Sequence, residues 1–282
     1  MNNFFFANIL NVLKFRLLFR KNVTYLKNNS KFAAQFEILF VMKKNTLLST
    51  LIICALAMAL VACGGHKTET PIQEAVSWSP APGEGGTLPT QVLPEQYQDT
   101  VSKYFTIHTG ESGKRFDGQF VSSPHMLLYT TVATDTVTVY NDRYIAFYKN
   151  GDLMDFFGQQ WDDKNNKFYN EAYRKLHVIG SGDDFTCYYL TEGYPNGMYA
   201  KQATIFSGSY NDTCAGLKDF QVAVLLLQTS GNPNLPPKGS IRILGDGDGL
   251  AVDTTWITSK SAVFNEDIHV SAEDAFSMFR VR

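Results

Sequence analysis

The chain has 282 residues, 44% of them hydrophobic, which is enough for one domain with a well-filled core. Its formal net charge of −2 hides an asymmetry: residues 1–62 hold eight of the 25 Lys and Arg but only one of the 27 Asp and Glu, so the chain from Cys63 onward carries a net charge of −9. An acidic chain without a basic cluster excludes nucleic acid as a partner, because phosphate neutralisation supplies most of that affinity.

Residues 1–41 are rich in Phe, Asn and Lys, with Glu37 the one acid. They read as an upstream extension from a start codon assigned too early; the competing reading is a basic amphipathic membrane segment. From Met42 the sequence "MKKNTLLSTLIICALAMALVAC" gives two lysines, a short polar step and an apolar stretch from Leu47 to Ala62. The stretch is shorter than the roughly twenty residues of a spanning helix, and its layout over 42–62 is that of an export signal. At its end, Leu60-Val61-Ala62-Cys63 resembles the lipobox of bacterial lipoproteins. The resemblance implies cleavage before Cys63 and acylation of that cysteine, palmitate being the expected kind of chain, so that lipid ties the mature protein to a membrane.

Residues 63–93 concentrate Gly, Pro, Thr and Glu and read as a flexible tether, with Trp78 either an exposed aromatic within it or one that docks on the domain. The domain is expected over 94–282. "PEQYQDTVSKYF" places Tyr97, Val101, Tyr104 and Phe105 at helical spacing behind Pro94, which suits a first turn. Downstream the period falls to two and β-branched and aromatic residues dominate. "HMLLYTTV", "DTVTVY", "RYIAFYKNG", "LMDFFGQQW", "RKLHVIG", "DFTCYYLTEG", "YAKQATIFSGSY", "FQVAVLLLQTSG" and "GSIRILGDGDG" follow as strands separated by turns such as Asn150-Gly151 and Pro195-Asn196-Gly197. "VAVLLLQ" has no alternation and predicts a strand buried on both faces. "SAEDAFSMFR" predicts a closing helix with Ser271 and Asp274 as an approximate capping box and Ala275, Phe276 and Phe279 on one face. The expected class is mainly β, an antiparallel sandwich or barrel with one or two short helices packed outside.

Few residues declare a chemistry. Cys187 and Cys214 form an even pair that an oxidising compartment would join, stabilising by roughly 3–4 kcal/mol on the chain-entropy model; two buried thiols are the alternative. "TGESGKR", Thr109 to Arg115, lacks the first glycine and the final hydroxyl of a phosphate loop and reads as a polar hairpin turn. "GDGDGLAVD" offers Asp246, Asp248 and Asp253 as oxygen ligands for Ca2+, although the EF-hand pattern is incomplete and a tight turn explains its glycines equally. No other cofactor is expected. His66, His108, His125, His177 and His269 form no local metal pair. Among the aromatics, Trp161 and Trp256 are candidates to stack on a ligand, against the simpler role of core packing. No nucleophile elbow occurs, and no carboxylate pair stands out.

Beyond its lipobox, a β-rich domain on a Pro- and Gly-rich tether is similar to the small envelope lipoproteins of Bacteroidetes. Gly64-Gly65-His66 follow the cysteine, and the first acid is Glu69. In that family the arrangement implies an outer-membrane anchor facing the periplasm rather than surface display. The expected role is binding or structural, with a glycan, a lipid or an envelope protein as partner. The alternatives are a glycan-processing enzyme with unidentified carboxylates, a minor adhesin or a lipid carrier. For an adhesin matured by cleavage after an arginine, Arg115 is the early candidate.

Overall fold

The computed structural model describes residues 74–282 except 164, 214–215, 258–269 and 280–282. The lipobox, the signal segment, residues 1–41 and Cys214 lie outside the described residues. Among the described residues no helix is long and apolar enough to cross a membrane.

Among the described residues twelve strands form one antiparallel sheet: β1 (Val76–Trp78), β2 (Gly118–Ser122), β3 (His125–Thr130), β4 (Val139–Tyr140), β5 (Arg143–Asn150), β6 (Leu153–Asp162), β7 (Lys167–Ile179), β8 (Asp184–Gly193), β9 (Ala200–Ser209), β10 (Gly216–Thr229), β11 (Ile241–Asp246) and β12 (Leu250–Asp253). Eight of them close on themselves in the order β8-β7-β6-β5-β2-β12-β10-β9 and back to β8. A barrel thus replaces the sandwich alternative, and closure removes the edges that an open sheet would expose.

β10 explains how the barrel coexists with extra strands. One of its edges pairs with β9 along most of its length. The other edge is divided: Gly216–Lys218 pair with β12 and continue the barrel, whereas Gln221–Leu225 pair with β11, which carries β3 and β4 away from the wall. The division falls at Asp219, whose φ of +50° marks the bulge between Lys218 and Gln221. β2 and β3 part at Ser123–Pro124, and β11 and β12 at Gly247–Gly249; the two corners meet through the Gly247 amide, which donates to the Pro124 carbonyl at 2.8 Å.

Alternation sorts the side chains. Inward positions supply Ile145 and Phe147, Met154 and Phe156, Tyr173 and Leu176, Phe185 and Tyr189, Phe206, and Phe220 with Val222 and Val224, all at most 3% exposed. Their rings pack at centroid distances of 5.2 Å for Phe147–Phe156 and 4.3 Å for Phe156–Phe206. Each buried ring of this kind contributes about 1.5–3 kcal/mol of transfer free energy. The interior of an eight-stranded barrel is just wide enough to be filled by side chains, and here aromatic residues fill it. Outward residues of β8, β9, β10 and β11 form a second core with Val92, Leu93, Val101 and Phe105. β10 therefore buries both faces, Val222 and Val224 inside and Ala223 and Leu225 outside, as its unbroken apolar run requires.

Two expectations are corrected. The flexible tether does not extend to residue 93: β1 pairs with β8, Trp78 packs against the outer core under the Lys201 ammonium, 5.0 Å from its ring, and Val92 and Leu93 are buried. Its average composition is that of a linker, but Trp78, Leu88, Val92 and Leu93 supply enough apolar surface to hold it. The second correction concerns the helices. α1 (Glu95–Ser102) packs outside as expected, whereas α2 (Ala272–Ala275) and the turn Ser277–Phe279 bury Ala275, Phe276 and Phe279 in the interior core. The closing segment is a plug rather than an outer layer. Its cap forms as the sequence implies, the Asp274 amide donating to the Ser271 hydroxyl at 3.1 Å.

Candidate functional site

Among the described residues, polar groups gather at the plugged end of the barrel and in a pocket on its outer wall.

At the plugged end, Arg143 of β5 points inward and donates from Nη2 to Glu171 Oε2 of β7 at 2.7 Å, with both side chains at most 6% exposed. Its Nη1 reaches the Met278 thioether at 3.4 Å, and Nε has no hydrogen-bond partner. Gly158 makes room for the Phe156 ring, which a Cβ there would meet at 2.9 Å, beside Arg143 Nη2 at 3.5 Å. Arg242 of β11 forms a two-point ion pair with Asp135, donates to the Met278 carbonyl and lies 5.6 Å from the Phe279 ring. Gln202 of β9 donates to the Ala275 carbonyl at 2.8 Å. These groups latch the plug from the barrel wall and from the β11-β3-β4 extension. The cavity among them holds about 20 Å3, room for one water molecule. Each guanidinium here already faces a carboxylate, so the chemistry is that of a seal.

The outer pocket is larger, about 250 Å3, and open to solvent. It forms where the barrel wall and the β11-β3-β4 extension part. Asp184 of β8 and Ser209 of β9 are register partners, and Ser209 is in turn paired with Lys218 beside Asp219. Thr106 and His108 cross above this row: the Thr106 amide donates to Gln221 Oε1 at 2.9 Å, and the His108 amide to Thr186 Oγ1 at 2.9 Å. Leu128 of β3 supplies an apolar wall, and Asp246 and Gly249 the far side. Gly208 and Gly249 leave space in the lining. His108 Nδ1 lies 3.6 Å from Asp184 Oδ2.

Asp246 organises the corner. Its carboxylate accepts from the amides of Ser123 at 3.1 Å, Asp248 at 3.3 Å and Leu250 at 3.0 Å. Burial raises its pKa, and a proton shared with Asp248 raises it further, while the same bond lowers that of Asp248. Asp253 sits apart on β12, opposite Phe120 in the register, its pKa raised by burial. The chain thus brings two of the three calcium candidates together on one turn. Among the described residues no group of three or more His, Cys, Asp or Glu is placed to hold a metal ion.

The remaining candidates fall elsewhere. Trp161, on β6, packs edge-on against Phe168 at 4.8 Å, and Phe168 is 44% exposed. Trp256 stacks on Phe157 at 5.5 Å and leans on Tyr144, in a small cluster on the outside of β5 and β6. Cys187 is a free thiol inside the barrel, and burial pushes its pKa up. Its proposed partner Cys214 is not among the described residues. Thr109–Arg115 is no hairpin turn: it runs across the β7-β8 turn, with hydrogen bonds between Gly180 and both Gly110 and Ser112, and Arg115 donating to the carbonyls of Gly113, Asp152 and Val178. Sequence reasoning missed Asp184, Asp219, Ser209 and His108 as one site because they come from four separate segments.

No family model matches the chain, and no curated protein or solved structure does either.

Proposed function

We propose that this is a lipid-anchored envelope protein with a binding role, its ligand held on the outer wall of the barrel rather than inside it. The observation that supports the binding site is the contrast between an interior filled by aromatic side chains and an outer pocket of about 250 Å3. The anchor rests on Leu60-Val61-Ala62-Cys63, and placement at the outer membrane, facing the periplasm, rests on the residues that follow it. A filled interior does not favour the lipid-carrier alternative.

A second reading is kept alive by Asp184 and Asp219. They flank β9 on neighbouring strands, roughly 10 Å apart at two strand spacings, near the range in which paired carboxyl groups hydrolyse glycosidic bonds.

Membrane fractionation of the Cys63→Ala chain tests the anchor: the variant should leave the membrane, and its retention after a high-salt wash would assign anchoring to residues 1–41. A thermal-shift screen against polysaccharides and acyl ligands tests binding, since a ligand that binds only the folded form raises the melting temperature. Release of reducing sugar by the wild type but not by Asp184→Asn would establish the hydrolytic reading instead.

A further inference from the structure

Beyond the outer pocket described above, we propose that a second pocket, set in a fork of the barrel wall between β7 and β8, binds a single neutral sugar ring.

The fork comes from an incomplete ladder. β7 and β8 pair only where His177, Val178 and Ile179 face Tyr188, Cys187 and Thr186, and from Leu190 to Glu192 β8 pairs with β1 instead. β1 therefore wedges between two strands of the wall. At the base of the fork the His177 amide donates to Ser79 Oγ at 2.9 Å, and across its far end the Ala75 amide donates to the Val270 carbonyl at 3.3 Å. The space left between them holds about 170 Å3 and reaches Tyr173, Leu176 and Tyr189 of the interior core. That is the liquid volume of about five or six water molecules, the size of one six-membered ring with its substituents.

The first ground is a buried hydroxyl. Tyr173 lines this pocket and is 3% exposed, and among the described residues its hydroxyl has no hydrogen-bond partner. Burial and the nearby Glu171 carboxylate push its pKa up, so the phenol keeps its proton and stands as a donor in want of an acceptor. The second ground is ring surface. Tyr173 stacks on Tyr189 with centroids 3.7 Å apart, and Trp78 lines the same pocket, so the aliphatic face of a sugar ring would meet aromatic walls. The third is the rim, where Glu74, Arg174 and the Ser77 hydroxyl offer both acceptors and donors to hydroxyl groups, each of which can act in either sense.

The same lining disfavours other guests. An ion of either sign would meet a like charge at the rim, in Glu74 or in Arg174. A wholly apolar guest would seal the Tyr173 hydroxyl away unpaired.

The test is isothermal titration of the full-length chain in a zwitterionic detergent without a sugar head group, with galactose, N-acetylglucosamine, indole and octanoate as probes. At least one of the two sugars should bind, and Tyr173→Phe should weaken it about tenfold. The melting temperature of that variant without sugar should stay at or above wild type, because the change keeps the ring and removes an unpaired hydroxyl. Unchanged sugar affinity together with a lower melting temperature would make the hydroxyl structural and overturn the proposal. Tighter binding of indole or octanoate than of either sugar overturns the ligand class, and no heat with either sugar overturns it as well. Sugar binding that survives Tyr173→Phe but is lost in Asp184→Asn also overturns the proposal, while leaving the binding role of the outer pocket intact.

Discussion

The Arg143–Glu171 pair can be tested by a double-mutant cycle whose outcome is set by its surroundings. At 2.7 Å and an effective dielectric of about 20, the gross attraction is about 6 kcal/mol. Against it stand two desolvated ions and a guanidinium whose other nitrogens reach only a thioether or nothing. Arg143→Met strands a carboxylate that is 6% exposed, and Glu171→Leu strands a guanidinium that is 2% exposed, so each change should cost about 3–5 kcal/mol. The double variant removes both charges and keeps the volume, so it should lie within about 1 kcal/mol of wild type or be more stable. Urea denaturation at constant m-value measures all four corners. Single variants costing under about 1 kcal/mol would refute the assignment of these groups to a dry interior. A double variant costing the sum of the singles would show that the two charges do not interact.

Three further outcomes follow from the geometry. Ser271→Ala removes the acceptor for the Asp274 amide and should cost about 1 kcal/mol in the same assay; no loss would mean that Phe276 and Phe279 alone hold the plug. Glu192 has a lowered pKa because Lys201 Nζ donates to it at 2.8 Å, so its contribution is present above the unfolded carboxylate value and is lost as pH falls through the lowered one. Glu192→Gln should therefore cost up to about 1 kcal/mol at pH 7, and the gap should close below about pH 4; a gap that persists at pH 3 would exclude the ion pair as its source. In a chain whose other three cysteines are replaced by serine, the buried Cys187 thiol, its pKa raised, should react with an aromatic disulfide reagent at pH 8 only as fast as the chain unfolds; immediate reaction would show an open barrel.

Much of the local structure was legible in the sequence because its causes are local. Period-two alternation marked β5, β6, β8 and β9, the unbroken "VAVLLLQ" marked the doubly buried β10, and Ser271 with Asp274 marked the start of α2. Short strands were missed: β1 lies in a segment with the composition of a linker, and β2 and β12 have only five and four residues. "GDGDG" announced a turn, but its role as the corner where β11 leaves the wall depends on the Ser123 amide, more than a hundred residues away.

The sequence by itself determined the acidic balance of the chain after Cys63, the β-rich class and most strand positions, since each depends on composition or on neighbours a few residues apart. Only the tertiary structure decided that the sheet closes, because alternation buries one face of a sandwich and of a barrel alike. It also decided that the last helix enters the barrel, where Arg143, Gln202 and Arg242 hold it. The outer pocket is the clearest case: His108, Asp184, Ser209 and Asp219 share no spacing or motif, and pairing between distant strands alone brings them to one cavity.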